Sequence, residues 1–435
     1  MYKRVIICIA ILFVSAFFAL PVLADSPDIK ASSAILAAAD GEQIIFDKNP
    51  DEKVYPSGLT KLMTALVAYE TCGTEEIITV PENIKDFITP YEPSLDLKPG
   101  EHIKSGDLIN AIIASAPNDA AITLAIHCGG SIEGFVSMMN ERCETLGLTQ
   151  TRFVNPTGIH NEHQYTTARD LLKLYKALCA VPLIRKAVES TNIKISATDK
   201  SSARTLWTSN SLISKYYNTN YIYPYAKGGK ASASTAGGYS VISHASKGNG
   251  KLICIVLNSI LDENVNYSFL DSANLFEYGF NSFDSKEIVR QGSIMREVRI
   301  KNAMGTDRIL LIAGNTLKCF IQKGDSTESV TLSKKIPEYI FAPVEKGDVI
   351  GTMEYSYLGR NVGTVLMTAG DTVKVNPIKY VGNSILWFLN LPSVKAVLII
   401  LFLAVAVYAG IVIAIIRKAS KTKRRRPKKQ KSDSL

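Results

Sequence analysis

The stretch VYPSGLTKLM, residues 54–63, places Ser57 and Lys61 one helical turn apart with Gly58 between them. Leu59, Leu62, Met63, Leu66 and Val67 follow at the i, i+3, i+4, i+7 and i+8 spacing of an apolar stripe, which predicts a core helix opening at this segment. Acyl transfer through a side-chain oxygen needs a nucleophile beside a base. A serine and a lysine at the start of one helix supply both, provided that the oxygen stands at the right position on the turn.

Around this helix, SAILAAADGEQIIFDKN (33–49) has two apolar runs about Asp40-Gly41 and reads as a hairpin. Further helices are predicted over 105–115, 118–127, 131–146 and 167–180. YSVISHASKGNGKLICIVLNS (239–259) reads as two strands joined by a Gly-Asn-Gly turn. Residues 25–280 are therefore expected to form an α+β domain, an antiparallel sheet flanked by helices. Over 284–378 the pattern changes to short strands and turns, for instance IMREVRIKNAMG and DRILLIAGN, and predicts a small all-β domain.

The first 24 residues combine Lys3 and Arg4, an apolar run and the small-residue end Val22-Leu23-Ala24. They read as a secretory signal peptide, with an uncleaved anchor as the alternative, and either exports the body. Ala396–Ile416 is a run of 21 residues without a charge, long enough for one transmembrane helix. Trp387 and Phe388 stand before it, at an expected membrane interface. Residues 417–435 hold ten Lys and Arg against one Asp, and the resulting +9 equals the net charge of the whole chain. That tail predicts a cytoplasmic C-terminus, with everything before Ala396 outside. The remainder is neutral overall, which excludes a broad basic face for nucleic acid.

Beyond Cys8 in the signal, six cysteines show no CxxC pair. They are expected to be mostly buried apolar residues, with room for one disulfide that spacing does not place. His160 and His163 lie in a polar loop stretch, and no metal or cofactor is expected.

Three stretches in order carry a resemblance: PSGLTKLMT (56–64), SAPNDAA (115–121) and YAKGG (225–229). GGSIEGFVSMMNERCETLGLTQTRFVNPTGIH (129–160), YTTARDLLKL (165–174) and APVEKGDVIGTMEY (342–355) support them. The chain resembles the low-molecular-weight penicillin-binding proteins that act as D-alanyl-D-alanine carboxypeptidases. The resemblance implies a serine β-lactamase/transpeptidase-like fold, and removal of the terminal D-Ala from peptidoglycan stem peptides.

The family's first motif is Ser-x-x-Lys, and aligning Thr60-Lys61 without a gap puts Gly58 at the serine position. The second is Ser-x-Asn; here Asn118 is kept and Ala116 takes the serine position. The third is Lys-Thr-Gly, read here as Lys227-Gly228-Gly229. The resemblance assigns Lys61 as base, Asn118 as a site residue, and Lys227, Gly228 and Gly229 to the grip on the substrate carboxylate. One hydroxyl is missing from each motif.

Ser57 and Ser115 each lie one residue before an expected serine. A one-residue slip moves a side chain by about 1.5 Å in rise and about 100° in rotation, which favours Ser57 as a helix N-cap over Ser57 as a relocated nucleophile. Asn118 has the simpler reading of a cap on the next helix, and Lys61 and Lys227 that of solvent-facing charges. Three functions follow: a carboxypeptidase homologue that binds stem peptides or a cell-wall protein with impaired catalysis, an active serine carboxypeptidase using Ser57, or a non-enzymatic partner-binding protein.

Overall fold

The structure, a computed structural model, describes residues 26–424; the expected signal peptide and the tail beyond Arg424 lie outside the described residues. Two compact units emerge. One is the chain up to Arg290 with Asn315–Lys334 and Met353–Val365, and the other is Gln291–Gly314, Lys335–Thr352 and the chain from Leu366 onward.

The first unit is built on a five-stranded sheet. Its strands are β1 (Ser33–Ala38), β2 (Ile44–Lys48), β3 (Ala226–Ser234), β4 (Gly238–Lys247) and β5 (Gly250–Ser259), in the order β2-β1-β5-β4-β3. Every neighbouring pair is antiparallel. The first two form the expected hairpin, with Gly41 at φ 93° in its turn. In the second expected hairpin Lys247 pairs with Gly250 across the predicted turn.

Alternate side chains of this sheet enter two separate cores. Ile35, Ala37, Ile253, Ile255 and Leu257 pack with the helices of one face, and Ala34, Leu36, Leu252, Cys254 and Val256 with a helix on the other. A sheet covered on both sides has no polar face, which explains why β1 is buried at all six positions.

On the first face lie α1 (Thr60–Cys72), α2 (Ser105–Ala114), α3 (Asn118–Gly129), α4 (Ile132–Leu146), α5 (Ala168–Cys179) and α6 (Pro182–Glu189). The other face carries α7 (Tyr267–Ser282), whose Phe269, Leu275, Phe276 and Phe280 are buried. α4 and α5 begin at side-chain caps, Ser131 accepting from Gly134 N–H and Thr167 from Asp170 N–H. A disulfide joins Cys72 at the end of α1 to Cys128 near the end of α3, with the Cα atoms 6.2 Å apart. Cys143, Cys254 and Cys319 are buried and Cys179 is partly so.

After Ser282 the chain becomes all-β: β6 (Phe283–Val289), β7 (Ile294–Lys301), β8 (Arg308–Ala313), β9 (Leu317–Gln322), β10 (Thr331–Lys335), β11 (Tyr339–Phe341), β12 (Val349–Tyr357) and β13 (Arg360–Ala369). Within the first unit β6 pairs with β9. Within the second, β7 lies antiparallel to β8 and parallel to β11.

Two helices follow, α8 (Pro377–Asn390) and α9 (Pro392–Arg424). Asn376 caps α8 by accepting from the N–H groups of Ile378 and Lys379. Pro392–Lys418 is a continuous helix long and apolar enough to cross a membrane, and it contains the expected span.

Candidate active site

The cleft is assembled at the start of α1. Pro56 leads into a single 3-10 turn, Ser57–Leu59, that runs directly into the helix. Ser57 has φ of 49°, in the left-handed region that serine seldom enters, and it is 5% exposed. No side-chain bond caps either the turn or α1. Ser57 Oγ lies instead 2.5 Å from Ser234 Oγ on β3. The expected N-cap is thus corrected: a cap residue uses extended backbone to reach back to the first-turn N–H groups, and a left-handed Ser57 does not have it.

One position on, Gly58 contributes no oxygen. Its N–H donates to Ser232 Oγ at 2.7 Å. A Cβ on Gly58 would stand 2.9 Å from that same oxygen, so the Ser232 hydroxyl fills the space next to residue 58.

Lys61 projects from the first turn of α1 and is 2% exposed. Its Nζ donates to Asn118 Oδ1 at 2.6 Å and to the Thr157 carbonyl. Burial lowers its pKa from 10.5 to about 7, against the opposing pull of Glu92 and Asp119. Asn118, the first residue of α3, holds this position by donating from Nδ2 to Glu92 Oε2 at 2.7 Å. Asp119 beside it accepts from the N–H groups of Leu95 and Leu97 and from Ser94 Oγ, which fixes the loop that carries Glu92. Ala116, in the short link between α2 and α3, has φ of 60° and presents only a methyl group to the cleft.

The structure does not bring Lys227, Gly228 and Gly229 to this cleft. The lysine of β3 next to the cleft wall is Lys230, fully buried behind it, with Nζ donating to the carbonyls of Ile112 at 2.8 Å and Ile113 at 3.0 Å. Burial, and then the neighbouring Lys61, push its pKa well below the usual lysine value. Ala231, Ser232, Ala233 and Ser234 continue the strand as the cleft wall. The lysine-led triplet of β3 that borders the cleft is thus Lys230-Ala231-Ser232, three residues later than the one expected.

Thr157, Gly158 and His160 form the facing wall, where the His160 ring meets Tyr55 edge-on at 4.5 Å. Glu92, Thr157, Lys230 and Ser232 were not singled out from the sequence, and His160 was weighed there only as a metal ligand. Lys230 alone had a usable signal, since it too is a lysine followed by two small residues.

The cleft, about 470 Å³ in volume, thus has an amine titrating near neutrality, an amide oriented by a carboxylate, and a second lysine buried behind its wall. Hydroxyl-bearing residues line it at Ser57, Thr157, Ser232 and Ser234 among others, and positions 58 and 116 carry none. Lys61 makes no hydrogen bond to Ser57.

Comparison with known proteins gives the same frame. A family profile described as D-alanyl-D-alanine carboxypeptidase matches residues 21–260, more than half of the chain. The chain belongs to this family. A second profile, the C-terminal domain of penicillin-binding protein 5, matches residues 283–375. D-alanyl-D-alanine carboxypeptidase DacC of Escherichia coli is 30% identical over 368 residues, covering 81% of this chain and 86% of that protein. Carboxypeptidase DacF of Bacillus subtilis is 26% identical, covering 74% and 81%. Among solved structures, penicillin binding protein 5 from Haemophilus influenzae matches with a TM-score of 0.66 at 24% identity, covering 80% of this chain and 99% of that one. Penicillin-binding protein 3 from Streptococcus pneumoniae, described as a peptidoglycan synthesis regulatory factor, matches at 0.67 and 20% identity, covering 80% and 100%. The likeness to these two structures fixes the family's transpeptidase-like fold. Family membership places the chain in peptidoglycan metabolism.

Proposed function

We propose that this chain is a membrane-anchored member of the family that binds peptidoglycan stem peptides on the outer side of the cytoplasmic membrane, with its hydrolytic step impaired. Gly58 carries the reading: the residue at the nucleophile position has no oxygen, and its N–H, a natural donor to a developing oxyanion, is committed to Ser232 Oγ. The groups that would hold a peptide, Asn118 and the β3 edge, remain around the cleft. Loss of a catalytic serine costs on the order of 10⁶ in turnover in a well-studied hydrolase. α9 supplies the anchor, and the run of Lys and Arg after Ile416 supports a cytoplasmic tail.

One observation favours a second reading, an active enzyme using Ser57: that hydroxyl faces the cleft rather than capping the helix. Incubating the full-length protein with a fluorescent penicillin separates the two. No covalent adduct is expected, alongside saturable binding of a D-Ala-D-Ala-terminated peptide. An adduct that disappears in Ser57→Ala would establish the second reading instead. Absence of peptide binding would leave a partner-binding protein. Gly58→Ser alone is expected to acylate poorly because Ser232 occupies the adjoining space, and Gly58→Ser with Ser232→Gly to acylate faster than the single variant.

A further inference from the structure

Lys227, at the start of β3, lines a second cavity, whereas the last residues of the strand, Ala231–Ser234, line the cleft. The β3–β4 register slips between Ala226 and Gly228, leaving Lys227 bulged out of the ladder, and bulges commonly re-aim a side chain. Gly228 is required by what packs on it. A Cβ there would stand 2.8 Å from His244 Cε1 and 2.8 Å from the Val188 carbonyl at the end of α6. Gly228 thus lets α6 and His244 close on the strand.

The resulting cavity has a volume of about 820 Å³, larger than the cleft and in the range of small-molecule sites. Its interior polar groups satisfy one another. The fully buried Tyr175 O–H donates to His244 Nδ1 at 2.8 Å, and His244 Nε2–H donates to Glu189 Oε1 at 3.2 Å. Glu189 also accepts from Arg185 Nε at 2.9 Å. Burial lowers the His244 pKa below its usual value, and it raises the Cys179 thiol to about 11, so neither adds charge near neutral pH.

The charged lining is uneven. Lys176, Arg185, Lys227 and Lys251 face only Asp40 and Glu189, an excess of two positive charges. Arg185 is paired with Glu189, Lys176 donates to the Gly41 carbonyl at 2.6 Å, and Lys251 lies 3.7 Å from Asp40. Lys227 alone among these cations has no hydrogen bond or ion pair with a described residue. Ala39, Ala180 and Ala245 add an aliphatic part to the lining.

We propose that this cavity is a second ligand site, for a compact anion with an apolar body whose carboxylate or phosphate pairs with Lys227. The site is independent of what the cleft binds. The test titrates the full-length protein in detergent with phenyl phosphate and with benzoate, followed by saturation-transfer NMR, with benzyltrimethylammonium as the cationic control. Saturable binding of at least one anion and none of the cation is expected, weakened about tenfold or more by Lys227→Glu and unchanged by Lys61→Met in the cleft. A tighter phosphate identifies a phosphate-bearing ligand and a tighter benzoate a carboxylate-bearing one. The proposal is overturned if neither anion binds saturably, or if folded Lys227→Glu and Lys227→Gln both bind as tightly as the parent chain.

Discussion

Burial sets the Lys61 amine near 7 while the unfolded chain holds it near 10.5. Between those values the unfolded state binds more protons, so the contribution of this group to stability rises with pH across that window and is flat below it. The buried cysteine thiols, raised in the fold, act in the opposite sense above pH 9, so a comparison with a variant is needed. Denaturant unfolding at pH 7, 8.5 and 10 is expected to show a pH-dependent gain in the parent chain over Lys61→Met, on the order of a few kcal/mol across the window. Parallel pH profiles would contradict it. Lys61 and Asn118 were legible in the sequence because the resemblance carries them on short motifs, and each then stands in the first turn of a helix. Ser57 was not, since its role depends on a backbone φ that neighbouring residues do not announce.

At the scale of elements, α1 and α3 deliver Lys61 and Asn118 from their N-terminal ends, and the Cys72–Cys128 bond ties their far ends. Closing a loop across 56 residues of sequence restricts the unfolded chain, and such bonds typically contribute about 2–4 kcal/mol. Cys72→Ser with Cys128→Ser is expected to lower the unfolding free energy by that order in a denaturant titration, and an unchanged midpoint would show that the bond adds nothing. The four helices foreseen between residues 105 and 180 end within two residues of their observed bounds, because periodic apolar residues and caps mark them. The third motif was placed three residues early on what is β3, for a physical reason. The strand's sequence AKGGKASAS alternates no large apolar side chains, so nothing in it sets which lysine faces the cleft.

For the molecule as a whole, the C-terminal apolar span was the easiest to read. An uncharged run followed by a basic tail needs no folding to be recognised, and α9 covers it. Deleting the chain from Pro392 onward is expected to release the protein from membranes under alkaline carbonate, with the full chain retained in the pellet. Retention of both would assign anchoring to α8, where Ile378, Ile385, Leu386, Trp387 and Phe388 are exposed, or to an uncleaved N-terminal segment. The cleft, by contrast, joins residues far apart in the chain. Gly58 and Ser232 lie 174 positions apart yet share one small volume. A Cβ at 58 would crowd the Ser232 hydroxyl in its present rotamer, so the effect of changing either residue is expected to depend on the state of the other.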